Sequence, residues 1–203
     1  MRRLKDADEW KEFLFTRVFH GEHATNADMF AEDISRLVRS TITGRSFLLL
    51  AYGGTGSGKS YSILHNVSND PSIMHRTIDL LYDAGCTLAL DGLEVQLQGD
   101  GRIFEIGGET LQMSLSPGKR WVLEYAPAVP WKPSDPIGTK PEALARVEHL
   151  YENRLRRTTK GNSQSTRSHG IFDLQVYDSQ SVPQGRLTFV DLAGLEDSQA
   201  CKG

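Results

Sequence analysis

The stretch AYGGTGSGKSYSIL, residues 51–64, constrains the fold more than any other part of the chain. Gly53, Gly54, Gly56 and Gly58 crowd into it, with Lys59 and Ser60 directly behind. Glycine loses more conformational freedom on folding than any other residue, so this density marks a backbone that must turn tightly or be approached closely. The spacing Gly53-x-x-x-x-Gly58-Lys59-Ser60 suits a loop whose backbone N–H groups cradle phosphate oxygens. The flanks agree. RSFLLLAYG before it is a continuous apolar run of strand length, as expected of a strand covered on both faces. KSYSILHNV after it can open a helix, whose positive end adds to the cradle. A Gly/Ser linker would share the composition but not this strand–loop–helix setting. Gly53, Gly54, Thr55, Gly56, Ser57, Gly58, Lys59, Ser60 and Tyr61 are therefore candidate nucleotide-binding residues. Lys59 suits the β/γ-phosphates, and the Ser60 hydroxyl suits Mg2+.

Elsewhere the apolar spacing sorts the chain into helices and strands. EFLFTRVFH, residues 12–20, reads as a short strand or strand end. Met29, Phe30, Ile34, Leu37, Val38 and Ile42 recur at helical steps, with Asn26 as the expected N-cap and Gly44 as the stop. A further helical segment around Ile73, Ile78, Leu81 and Tyr82 ends at Gly85, and Asn69-Asp70-Pro71 argues for a break before it. Residues 86–126 alternate like strands, with a hairpin signal at Gly99-Asp100-Gly101 and another strand at RWVLEYA. A proline-rich loop then leads to the helix PEALARVEHLYENRLRR, followed by the strands HGIFDLQVYD and GRLTFVDLAG. This alternation predicts an α/β class with a central sheet.

Composition excludes several classes. The 203 residues carry a net charge of −3, so nothing global recruits nucleic acid or an anionic membrane. The cluster Arg154, Arg156, Arg157 and Lys160 suits a solvated helix end. Cys86 and Cys201 form no metal-ligand spacing and no disulfide framework, which fits a reducing, cytoplasmic compartment. No apolar run is long enough to cross a membrane as a helix, and the start has no apolar signal-peptide core.

Two later segments add chemistry. LTFVDLAG is an apolar strand ending in Asp191, a carboxylate placed to hold Mg2+ through water. Gly194, three residues on, can offer its N–H to a γ-phosphate. In NSQSTRSH, residues 162–169, Ser165 and Thr166 can reach phosphate, Mg2+ or an attacking water, and Arg167 can meet a carboxylate. By composition alone that segment is also an ordinary Ser/Thr-rich turn.

In this order and spacing, the three segments resemble the kinesin motor domain. AYGGTGSGKSY is similar to the family's A-Y-G-Q-T-G-S-G-K-T-Y, NSQSTRSH to its switch I, N-x-x-S-S-R-S-H, and LTFVDLAGLE to its switch II with D-L-A-G-S-E. The likeness runs from about Phe13 to Glu196. It implies a P-loop NTPase-type central sheet, mixed and mostly parallel, with helices on both faces and incomplete at both ends. It also implies an Mg2+-dependent ATPase that moves on microtubules in the cytoskeleton. Lys59 and Ser60 would hold phosphates and Mg2+, Asp191 and Thr166 would support the metal, and Ser165 and Thr166 would close on the γ-phosphate and water. Gly194 would sense the γ-phosphate, and Arg167 and Glu196 would form the ion pair linking the switches. Gly54 replaces the family Gln, Ser60 and Thr166 exchange one hydroxyl for another, and Leu195 replaces Ser. The family's R-x-R-P strand has no counterpart, and the elements after switch II lie past Gly203. A sheet lacking edge strands is expected to expose unpaired backbone and apolar surface. Two alternatives remain at this point: a kinesin-like module that binds nucleotide without movement, and a different P-loop NTPase. A GTPase would add an N-K-x-D guanine motif after its switch II, a place the sequence does not reach, and the NSQSTRSH segment argues against a GTPase.

Overall fold

The computed structural model describes residues 3–6, 9–21, 24–96, 103–105, 110–111, 135–159 and 168–194. Strands β1 (Arg3–Asp6) and β2 (Glu9–Glu12) pair as a separate antiparallel ribbon. A helical stretch follows: α1 (Asn26–Met29), a π-helical turn (Phe30–Ile34) and α2 (Ser35–Thr41). Then come β3 (Phe47–Ala51), α3 (Lys59–Ile63), α4 (Ile73–Asp83) and β4 (Thr87–Gln96). Short strands β5 (Ile103–Glu105) and β6 (Thr110–Leu111) precede α5 (Lys140–Thr159), β7 (Ser168–Tyr177) and β8 (Pro183–Asp191).

The main sheet has the order β3-β8-β7-β4-β5-β6. It is mixed, as expected, but not mostly parallel: among the described residues only β3 and β8 run parallel. The short Asp178–Val182 turn between β7 and β8 permits only an antiparallel return. In that turn the Asp178 carboxylate accepts N–H bonds from Val182 and Gln180 at 2.9 Å each. The Val182 bond chiefly holds the carboxyl below its ordinary pKa, so the turn's support is full above the ordinary value and fades as pH falls through the lowered one.

One apolar core joins the helices to a single face of the sheet. Val38 of α2, Ile63 of α3, Met74, Ile78 and Leu81 of α4, and Val147 and Leu150 of α5 bury together with Leu88, Leu90, Phe172, Leu174, Val176, Leu187 and Phe189. On β7 and β8 the intervening residues Asp173, Gln175, Arg186 and Thr188 are polar and half-buried. The described helices thus cover one face where both were expected. β3 shows the consequence: Leu48 is 64% and Leu50 48% exposed, whereas the run FLLLAY reads as a strand buried on both sides. β3 also pairs only with β8 among the described strands, leaving an open edge.

Three further readings change. Residues 13–20 form no strand, and Phe13, Leu14, Phe15 and Val18 are exposed; aromatic and β-branched residues become strand only where a partner surface receives them. The N-cap is Thr25 rather than Asn26: the Thr25 backbone is extended and its hydroxyl accepts the Asp28 N–H at 3.1 Å. Asn26 is buried, and its N–H donates to Asp70 at 2.9 Å. Asp70 also accepts from Arg76 at 3.1 Å, so the break before α4 anchors the start of α1. The strands flanking the hairpin signal pair antiparallel, Val95 with Ile103, while Gly99-Asp100-Gly101 lie outside the described residues. RWVLEYA lies outside the described residues.

Gly185 brings β8 against the turn between α2 and β3. A Cβ there would lie 2.0 Å from the Arg45 carbonyl oxygen and 2.8 Å from that of Thr41. Backbone cannot swing aside as a side chain can, so Gly185→Ala is expected to destabilise the fold by about 1–3 kcal/mol. A thermal melt checks this, with Gly138→Ala as the control because its Cβ meets nothing within 4 Å.

Candidate functional site: the loop between β3 and α3

The site begins with register. Ala51, the last residue of β3, stands beside Asp191, the last residue of β8. The parallel pairing therefore sets the start of the glycine loop next to a carboxylate more than a hundred residues away in sequence. Gly56 and Gly58 adopt left-handed backbone, with φ of +77° and +90°, where a Cβ would be strained. A Cβ on Gly53 would lie 2.7 Å from the Ser57 hydroxyl oxygen. Gly54, Thr55, Gly56, Ser57 and Gly58 are all exposed, so the loop's backbone is open to a ligand.

Lys59 and Ser60 open α3. The Lys59 ammonium folds back over the loop and donates to the carbonyls of Gly53 at 2.9 Å and Gly54 at 2.7 Å. The Ser60 hydroxyl donates to the Asp191 carboxylate at 2.5 Å, and Asp191 is fully buried. The hydroxyl and carboxylate expected to share a metal are thus in direct contact. That donor set of hard oxygens beside the glycine loop fits Mg2+, which takes few protein ligands and keeps waters. Among the described residues no group of three or more acidic, histidine or cysteine side chains is placed to hold a metal ion.

Gly194 is packed against the loop. A Cβ on it would lie 2.1 Å from the Thr55 hydroxyl oxygen and 3.0 Å from the Thr55 backbone nitrogen. The chain leading to it is held by His169, whose Nδ1 accepts the Ala193 N–H at 3.0 Å. Tyr61 sits on α3, exposed and edge-on to His65 with ring centres 6.0 Å apart; His65 stacks on Tyr151 of α5. Lys59, Ser60, Asp191, Thr55 and Gly194 are therefore brought together, while Tyr61 lies on the helix behind them. Ser165, Thr166, Arg167 and Glu196 lie outside the described residues. The contacts Thr55–Gly194 and His169–Ala193 were not legible beforehand, because both depend on strand register; the only hint was that His169 closes the NSQSTRSH segment.

A glycine loop between a strand and a helix, with a carboxylate on the neighbouring parallel strand, is the arrangement of a P-loop NTPase-type fold. Comparison with known proteins narrows this. The family model described as kinesin motor domain matches residues 1–202, and the chain belongs to that family. Kinesin-like protein 2 of Schizosaccharomyces pombe is 30% identical over 200 residues, covering 91% of this chain and 24% of that protein. Protein claret segregational of Drosophila melanogaster is 31% identical over 196 residues, covering 91% of this chain and 27% of that protein. The chain thus spans about a quarter of the length of these relatives. A solved fast kinesin, reported for its ATPase mechanism and interactions with microtubules, superposes with a TM-score of 0.72 at 21% identity, over 98% of this chain and 58% of that one. Among the described residues no helix is long and apolar enough to cross a membrane.

Proposed function

We propose that this chain is the nucleotide-binding part of a microtubule motor, which binds ATP with Mg2+, hydrolyses it and couples the cycle to movement. The observation that carries this reading is the meeting of two distant segments at one loop: Ser60 bonds Asp191 at 2.5 Å, and Gly194 packs on Thr55. Left-handed glycines, exposed amides and a lysine over the loop are what phosphate recognition needs. Lys59 would neutralise β/γ-phosphate charge, while Ser60 and Asp191 would hold Mg2+. Bound Mg2+ would supply charge stabilisation to the transferring phosphoryl group. Gly194, touching the loop from the end of β8, would report on the γ-phosphate. Ser165 and Thr166 would close over phosphate and water, Arg167 and Glu196 would pair between the switches, and Tyr61 would belong to the nucleotide-binding segment. Loops ordered by γ-phosphate and released on hydrolysis move distant elements, and family membership supports the microtubule as the surface that would read such movement.

Titration of the 203-residue protein with a fluorescent ATP analogue tests the reading. Saturable binding is expected with Mg2+ and about tenfold weaker binding in excess chelator, the scale of one charge-assisted contact. Ser60→Ala is expected to shrink that difference. Equal affinity with and without the metal would sink the Mg2+ assignment. Co-sedimentation with microtubules tests the partner: pelleting that changes with nucleotide state supports a motor. Nucleotide binding without such pelleting would point to a module that does not move.

A further inference from the structure

His169 has no part in the roles assigned above. It lies near the start of β7, half-buried, and its Nδ1 accepts the Ala193 N–H at 3.0 Å. Register explains the meeting. Gly170 is paired with Asp191, so the chain leaving β8 runs directly past residue 169. Beyond Asp191 the sheet offers this chain little: Leu192 makes only a long bond, 3.4 Å, to the Ala51 carbonyl. The next amide is held by a side chain instead of a strand. One residue further, Gly194 abuts the Thr55 backbone of the phosphate loop. Gly194 therefore sits between two anchors, His169 before it and Thr55 beside it.

A backbone N–H can only donate, so Nδ1 must present a lone pair, and the neutral ring carries its proton on Nε2. We propose that His169 is a positioning residue: through the Ala193 amide it fixes the peptide that presents the Gly194 N–H to the phosphate loop. This rests on the nucleotide reading of the site. A short acceptor on a rigid strand suits the task, because an amide held by water alone would leave Ala193 and Gly194 free to turn away from Thr55. The requirement is for an acceptor at one place, not for an imidazole. Asparagine carries its oxygen the same number of bonds from Cβ as Nδ1, whereas glutamine carries it one bond further.

Three variants test this in two measurements. In nucleotide-free protein, Ala193 amide exchange followed by NMR is expected to be slow in wild type and about threefold to tenfold faster in His169→Ala, the scale of one hydrogen bond. His169→Asn should restore the protection and His169→Gln should not. In the second measurement, His169→Ala is expected to lower the preference for ATP analogue over ADP by a similar threefold to tenfold, with ADP affinity nearly unchanged and His169→Asn recovering it. An Ala193 amide as protected in His169→Ala as in wild type overturns the proposal. So does a folded His169→Asn as impaired as His169→Ala, or a parallel loss of ADP and ATP affinity. Wild-type protein that binds neither nucleotide overturns the ATP reading, while amide exchange still decides the His169 contact.

Discussion

Lys59→Ala is expected to weaken binding of an ATP analogue about a hundredfold while leaving the fold nearly as stable as before. The ammonium makes two charge-assisted contacts to the carbonyls of Gly53 and Gly54, at 2.9 and 2.7 Å, so it is poised on the loop and able to make comparable contacts to phosphate. Each such contact contributes about 1.5–3 kcal/mol, and two at the lower figure already correspond to roughly a hundredfold in affinity. Stability should respond far less. The Gly54 side of the loop is exposed, and carbonyls released there are taken up by water. Lys59→Arg is the informative companion. A planar guanidinium keeps the charge but does not reproduce a compact ammonium seated on two carbonyls of a tight loop, so most of the loss should remain. Fluorescence titration measures the affinities and a thermal melt the stability. An analogue that binds Lys59→Ala as tightly as wild type would show that the glycine loop is not a phosphate site.

The features legible in the sequence are those encoded over short distances. The glycine loop, the end of α4 at Gly85 and the strand leading to Asp191 all rest on local spacing, and each stands where that spacing puts it. α5 is likewise evident from Leu144, Val147, Leu150 and Tyr151 recurring on one side. What escaped is set by partners distant in sequence. FLLLAY has the composition of a doubly covered strand, yet its neighbours leave Leu48 and Leu50 in the open. Thr25 displaced Asn26 as cap because the Asp70 carboxylate, from another part of the chain, claims the Asn26 amide. At the site, Lys59, Ser60 and Asp191 were identifiable as residue types, but the contact between Ser60 and Asp191 follows from β3 and β8 lying parallel, which no local pattern states. The same register puts Gly194 on Thr55, and the β7–β8 register puts His169 on Ala193.

That dependence on register makes the β7–β8 core the second place where a single change should have a large effect. Phe172 and Phe189 stand directly opposite each other on the two strands, both fully buried on the face the helices cover. Truncating either to alanine removes a whole ring from close-packed surroundings, and the expected cost is about 3–5 kcal/mol. For a chain of this length that lowers the melting temperature by roughly 10 °C. Because the rings are neighbours, the double variant should cost less than the two losses added, by about 0.5–3 kcal/mol. Urea unfolding of the four proteins measures both quantities. The effect should also reach the site. Phe189 lies two residues before Asp191 on β8, and Phe172 three after His169 on β7. A cavity between these strands loosens the pairing that holds Asp191 beside Ser60, so nucleotide affinity is expected to fall in the single variants at temperatures where they remain folded. Losses below about 1 kcal/mol, the range of substitutions that create no real cavity, would mean that helices and sheet do not close over these rings and that the site is aligned by its own contacts alone.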